Sequence, residues 1–160
     1  MKPPSYCLLR VSTAALLLFT IALFQPAYSQ DSGYDAALAE KLGADERGMK
    51  KYVMAFLYRG EKIAEYTPEQ RTEIQKGHMA HITKMSETGK LIMAGPFFGN
   101  EELRGIFVFD VAALDEAANL TAQDPAVAAG VLKMDLKEWY GPAALLMMAD
   151  FHPKLTKPTN

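Results

Sequence analysis

The chain has 160 residues, of which 22% are charged. That is long enough for one domain with its own hydrophobic core and too apolar for a disordered body. The formal net charge is −2, and Lys2 and Arg10 are the only charges before Gln30, so the rest of the chain is mildly acidic. An acidic body without basic runs excludes nucleic acid as the main partner. No P-loop, Gly-rich dinucleotide fingerprint or zinc-type Cys/His spacing is present.

Residues 1–29 read as a secretory signal peptide. Lys2 and Arg10 give the positive start, residues 11–24 an uncharged Leu-rich stretch, and Ala27-Tyr28-Ser29 small residues at the positions signal peptidase reads. An uncleaved anchor is the alternative, but the apolar run is short for the ~20 residues of a membrane span. The expected location is therefore periplasmic or secreted, with no membrane contact after signal removal. Cys7 leaves with the signal, so the core must stabilise the mature protein without a disulfide.

Residues 30–50 form an N-terminal extension. A short helix is predicted over 34–42, with Leu38 and Leu42 four apart and Gly43 as its stop. The body spans 51–150. It opens with Tyr52-Val53-Met54-Ala55-Phe56-Leu57-Tyr58, an apolar and aromatic run expected of a central strand. After a loop over 60–66, Thr67-Pro68-Glu69-Gln70 starts a long helix: Thr67 as cap, Pro68 at the first position, Gln70 to complete a capping box. That helix is predicted to run to Thr88, with Gly89 as its stop.

A second strand spans 90–94 and ends at Gly95-Pro96. A third spans 104–111, a second helix 114–123, and a helical turn 125–129 ends at Gly130. Asp124 precedes Pro125, and a residue before proline is pushed out of the helical region. The fourth strand spans 131–139, where Leu132, Met134 and Leu136 alternate with Lys133, Asp135 and Lys137. Residues 151–160 read as a flexible tail. The order strand, helix, strand, strand, helix, strand is that of an α+β, ferredoxin-like βαββαβ sandwich. The first strand is apolar on both sides, so the face away from the helices needs a cover, and a second copy is the expected one: a homodimer.

At 100° per residue, Ile74, His78, His81, Ile82 and Met85 share the apolar stripe of the long helix. A buried imidazole needs a partner or stays neutral; a backbone carbonyl would satisfy it without any chemistry. Asp124 offers a second possibility. In this topology the two helices lie side by side, so a carboxylate at the end of one reaches an imidazole within the other. Such a pair orients the ring and raises its basicity. The plain alternative is that Asp124 only caps the turn after it. His78 and His81 lie one turn apart and would suit a shared metal, but no third ligand is positioned, and neither metal nor cofactor is expected. His81 is placed at the rim of a substrate pocket, with Gly95 and Pro96 beside it. Phe97, Phe98, Trp139 and Tyr140 are candidates for its apolar lining, or for plain core.

His78-Met79-Ala80, the step to Gly89, Leu91 through Ala94-Gly95-Pro96, and Asp124-Pro125 with Ala128-Ala129-Gly130 together resemble the bacterial YciI-like (YCII-related) family. The resemblance covers roughly residues 51–139. Tyr34-Asp35, Leu42-Gly43-Ala44-Asp45 and Gly48-Met49 extend it to a secreted subgroup. It implies a dimeric α+β barrel related to muconolactone isomerase and an active site on a His–Asp pair, here His78 and Asp124. One relative is a dehydrochlorinase acting on a chlorinated hydroxyhydroquinone. Two positions depart from the pattern: Gln75 stands where many members have arginine, and Ala126 where many have an aromatic. The combined expectation is a small enzyme in which His78 and Asp124 move a proton on a small cyclic or aromatic substrate. The alternatives are a non-catalytic small-ligand-binding protein of the cell envelope and a haem protein using His78.

Overall fold

Successive side chains of a strand alternate between faces. Four strands use that alternation to build one sheet: β1 (Met49–Arg59), β2 (Leu91–Pro96), β3 (Leu103–Phe109) and β4 (Leu132–Pro142). The spatial order is β2-β3-β1-β4, and every pairing is antiparallel. The computed structural model describes residues 33–99 and 101–157; the expected signal peptide and Cys7 lie outside them. A 20-residue helix, α2 (Pro68–Glu87), joins β1 to β2, while α3 (Leu114–Ala122) and α4 (Pro125–Ala128) join β3 to β4. This is the α+β ferredoxin-like arrangement that the element order predicts.

One face of the sheet carries Val53, Ala55 and Leu57 from β1, Phe107 and Phe109 from β3, and Leu91 from β2. Met85 of α2 and Ala117 of α3 complete this core, with Ile82, Leu120, Leu132, Met134 and Leu136 around it. The Phe107 and Phe109 rings meet edge to face at 5.8 Å. Burying each contributes about 1.5–3 kcal/mol.

The opposite face carries Tyr52, Met54 and Phe56 of β1 beside Ile106 and Val108 of β3. Tyr52 and Val108 are buried; Met54, Phe56 and Ile106 are half-buried. Trp139 pairs with Tyr52 in register and lies against it, ring centroids 5.8 Å apart. Its indole also fills the space over Gly141, where a Cβ would come within 2.4 Å of the ring. The chain after β4 is helical, not frayed. A 3₁₀ turn (Ala143–Met147) packs on β1, and α5 (Met148–Leu155) packs on β2. Buried Ala143 and half-buried Leu145, Leu146, Met147 and Met148 seat this segment, while Phe151 and Leu155 stay exposed.

The N-terminal extension is anchored at the same end. Its helix α1 (Ala36–Leu42) is capped by the Asp35 side chain, stops at Gly43 with φ +65°, and packs on the 3₁₀ turn. Asp45 then closes the turn into β1. One carboxylate oxygen accepts from the Arg47 and Met49 amides at 2.9 and 3.0 Å, and the other accepts from the Tyr140 hydroxyl. The Tyr140 hydroxyl, followed by the Met49 amide, holds the Asp45 carboxyl below its ordinary 3.8. The same bond raises the Tyr140 phenol above 10.0. Stabilisation by this pair is therefore complete above the unfolded value of Asp45 and below that of Tyr140. It is lost as pH falls through the lowered carboxyl value or rises through the raised phenol value. Tyr140→Phe is expected to lower Tm at neutral pH, with the gap to wild type closing at both extremes. Thermal melts across the pH range check this; a pH-independent gap would contradict it.

Candidate functional site

The position of α2 is set at its start. Thr67 Oγ1 accepts from the Gln70 amide at 3.3 Å, and Gln70 Oε1 accepts from the Thr67 amide at 2.8 Å. With Pro68 at the first helical position, this reciprocal cap fixes where the helix begins. Ten residues on, His78 faces the sheet and is 7% exposed. Its ring lies over Phe107, centroids 6.0 Å apart and planes 16° from parallel.

Asp124 arrives from the other side. Its extended backbone (φ −70°, ψ 124°) breaks α3 from α4, as the following Pro125 requires. The side chain is 0% exposed. Oδ1 accepts from the Ala126 amide at 2.8 Å, and Oδ2 accepts from His78 Nδ1 at 2.7 Å. Both readings of Asp124 thus hold at once: one oxygen caps the turn and the other binds the imidazole. The 2.7 Å separation is that of a charge-assisted bond.

A carboxylate only accepts, so it fixes the neutral ring's proton on Nδ1 and leaves a lone pair on Nε2. His78 Nε2 makes no hydrogen bond to a described residue. No buried side-chain nitrogen or oxygen among the described residues lacks a partner. The small exposed fraction of His78 therefore includes Nε2. On the sheet below, Phe107 is flanked in register by Ala55 and Ala94, and along β3 by Gly105. These have no side chain beyond Cβ, and Ala94 on the edge strand is exposed.

The other predicted site residues are placed differently. His81 Nε2 donates to the Leu120 carbonyl at 2.9 Å, one of the last four carbonyls of α3. It ties α2 to the end of α3. His78 Nδ1 and His81 Nε2 are both engaged, and among the described residues no three His, Cys, Asp or Glu side chains converge on a metal position. Gly95 pairs with Ile106 and belongs to the face away from His78; Pro96 pairs with Gly105 at the open end of β2. Phe97 is exposed beyond it, its amide donating to the Arg104 carbonyl at 2.8 Å. Trp139 is three residues from Leu136, which is level with Phe107 across Ala55, so its indole lies on the opposite face of the sheet. The structure thus joins His78 to Asp124 and separates both from the expected aromatic wall.

Phe107, the platform under His78, stood in the sequence only as a central strand residue. Its signal is the register: an aromatic among alanines and glycine on a face that must seat a helix. Surface grooves formed by described residues include two of substantial size. One of about 590 Å³ runs along α2 past Arg71, Thr72, Gln75, Lys76 and Met79. The other, about 520 Å³, includes Tyr58, Arg59, Glu102, Lys133 and Asp135. Neither includes His78 or Asp124, although Gln75 and Met79 flank His78 on its helix.

The model of the YCII-related domain matches residues 51–140. This chain belongs to the YCII-related family. A relative, the uncharacterized protein YjpA of Bacillus subtilis (strain 168), is 33% identical over 63 residues, covering 39% of this chain and 72% of that protein. Among solved structures, the chain is similar to 5-chloro-2-hydroxyhydroquinone dehydrochlorinase (TftG) from Burkholderia phenoliruptrix AC1100, in complex with 2,5-dihydroxybenzoquinone. That similarity has a TM-score of 0.42 at 15% identity, over 56% of this chain and 93% of that one.

Asp124→Asn tests the tautomer. The amide oxygen still caps Ala126, but the amide nitrogen now donates toward Nδ1 and moves the ring proton to Nε2. Nitrogen NMR of His78 is expected to show the exchanged tautomer, with a loss of about 1 kcal/mol in stability as a charge-assisted bond becomes a neutral one. An unchanged tautomer would contradict the assignment.

Proposed function

We propose that this protein is a small enzyme in which His78 Nε2 accepts or returns a proton, with Asp124 holding the ring and stabilising its charged form. The observation that carries this reading is the buried Asp124–Nδ1 bond together with an Nε2 that makes no hydrogen bond to a described residue and keeps a small exposure. A histidine kept only for packing needs no carboxylate behind it, and desolvating one costs several kcal/mol unless it is fully paired. The pair suits isomerisation or elimination on a small cyclic or aromatic substrate. Such steps need a base on one atom and an acid on another, and no redox cofactor.

The protein works as a homodimer outside the cytoplasm, periplasmic or secreted. Half-buried Met54, Phe56 and Ile106 on the second sheet face support the dimer, and the signal-like residues 1–29 support the location. A second reading keeps the same residues in a non-catalytic ligand-binding protein. It asks only for an imidazole whose Nδ1 is held by Asp124 and whose Nε2 makes no hydrogen bond to a described residue.

A thermal-shift screen of small aromatic acids and lactones, followed by turnover assays on the hits, separates the two. His78→Gln, whose amide still donates to Asp124, is expected to bind the hits and lose turnover by about 10²–10⁴-fold, the range for a positioned acid–base group. Hits that bind wild type and are never turned over favour the binding protein. Turnover that survives His78→Gln overturns the catalytic reading.

A further inference from the structure

Gly77 lies in the middle of α2 and is not in the left-handed region. Its backbone has no need of glycine there, and glycine costs about 1 kcal/mol relative to alanine in a helix interior. The reason for it is space. A Cβ at Gly77 would stand 3.0 Å from Cγ and 3.1 Å from Cβ of Pro125. These atoms belong to a rigid ring at the first position of α4, not to the end of a flexible side chain.

The contact joins the neighbours of the pair. Gly77 precedes His78, and Pro125 follows Asp124. We propose that the Gly77–Pro125 contact is the seat that sets the His78–Asp124 separation, which makes Gly77 a positioning residue. The proposal rests on the reading of that pair as the working site, but its test does not.

Neither side has slack to absorb an added methyl group. On the Asp124 side, the backbone amide donates to the Thr121 carbonyl at 3.1 Å, Oδ1 is held by the Ala126 amide, and Ala126 is itself buried. On the other side, His78 lies on Phe107 and Met85 is buried in the core two turns further on. The neighbour must give by a few tenths of an ångström to accommodate the methyl. The 2.7 Å bond between the two elements is the element that can lengthen, and it then leaves the short, charge-assisted range.

The test uses the full chain and the proton on His78 Nδ1, seen by NMR with labelled histidine. Gly77→Ala is expected to leave Tm little changed, because the helix preference for alanine offsets the weakened bond, while the Nδ1–H resonance moves upfield and is lost to exchange with water. A histidine in a generally weakened fold would not separate these two readouts. Pro125→Gly alone is expected to keep the resonance, because the Ala126 amide still holds Asp124 Oδ1; added to Gly77→Ala, it removes both contacting ring atoms and is expected to restore the resonance. An Nδ1–H signal unchanged by Gly77→Ala overturns the proposal, as does a folded double variant without the signal. If Gly77→Ala fails to fold, a double variant that recovers both fold and signal supports the seat, and one that stays unfolded overturns it. A lost bond with undiminished turnover would sink the catalytic reading and leave the seat standing.

Discussion

A carboxylate with no exposure to water is the group around which this half of the molecule is arranged. Burying an ionised Asp is tolerated only when its lone pairs find donors. Asp124 obtains one from the Ala126 amide and one from His78 Nδ1. The first requires the chain to turn immediately after Asp124, which Pro125 enforces by stopping α3 and starting α4. The second requires an imidazole at a fixed depth on α2. The break between the helices, the length of the turn and the face of α2 turned inward are consequences of satisfying that one side chain.

The same helix also supplies one donor to the end of α3. A helix leaves its last four carbonyls without intrahelical donors. Here the Asn119 carbonyl accepts from Gln123 Nε2 at 3.0 Å, Leu120 from His81 Nε2, and Thr121 from the Asp124 amide. Adjacent turns of α2 thus carry two histidines with separate roles. His81 bonds through Nε2 to a backbone carbonyl and holds α2 against α3. His78 bonds through Nδ1 to a carboxylate and leaves Nε2 outward. The ring nitrogen used by each decides which of them has a lone pair to offer at the surface.

Much of the frame was legible because its signals are local. The Thr67–Gln70 capping box, the alternation along β4 and the apolar run of β1 depend on residues close in sequence, and each appears in the structure near its expected bounds. The meeting of His78 with Asp124 was legible from topology, since the split β-α-β forces α2 and α3 side by side. The face of Trp139 was carried by the alternation along β4 too: with Leu132, Met134 and Leu136 on the core side, a residue three positions after Leu136 falls on the other. The role of His81 was hidden: its partner is a backbone carbonyl 39 residues away, which carries no residue-type signal. The fold of residues 143–155 was masked by proline and lysine, although its first half holds buried Ala143 and half-buried Leu145 to Met148.

The sheet puts the His78–Asp124 pair on one side and the Tyr52–Trp139 contact on the other. Tyr52, Phe56 and Trp139 lie on one face; His78, Asp124 and Phe107 lie on the other. On the His78 face, Phe107 has beside it only Ala55, Ala94 and Gly105. Ala94 and Pro96 on the edge strand β2 are exposed. At Gly105 the sheet itself forbids a side chain, since a Cβ would fall 2.6 Å from the Gly95 carbonyl oxygen. The close pairing of β2 with β3 therefore depends on that missing side chain, so the bare surround of the Phe107 platform is built into the strand pairing and does not depend on a mobile loop.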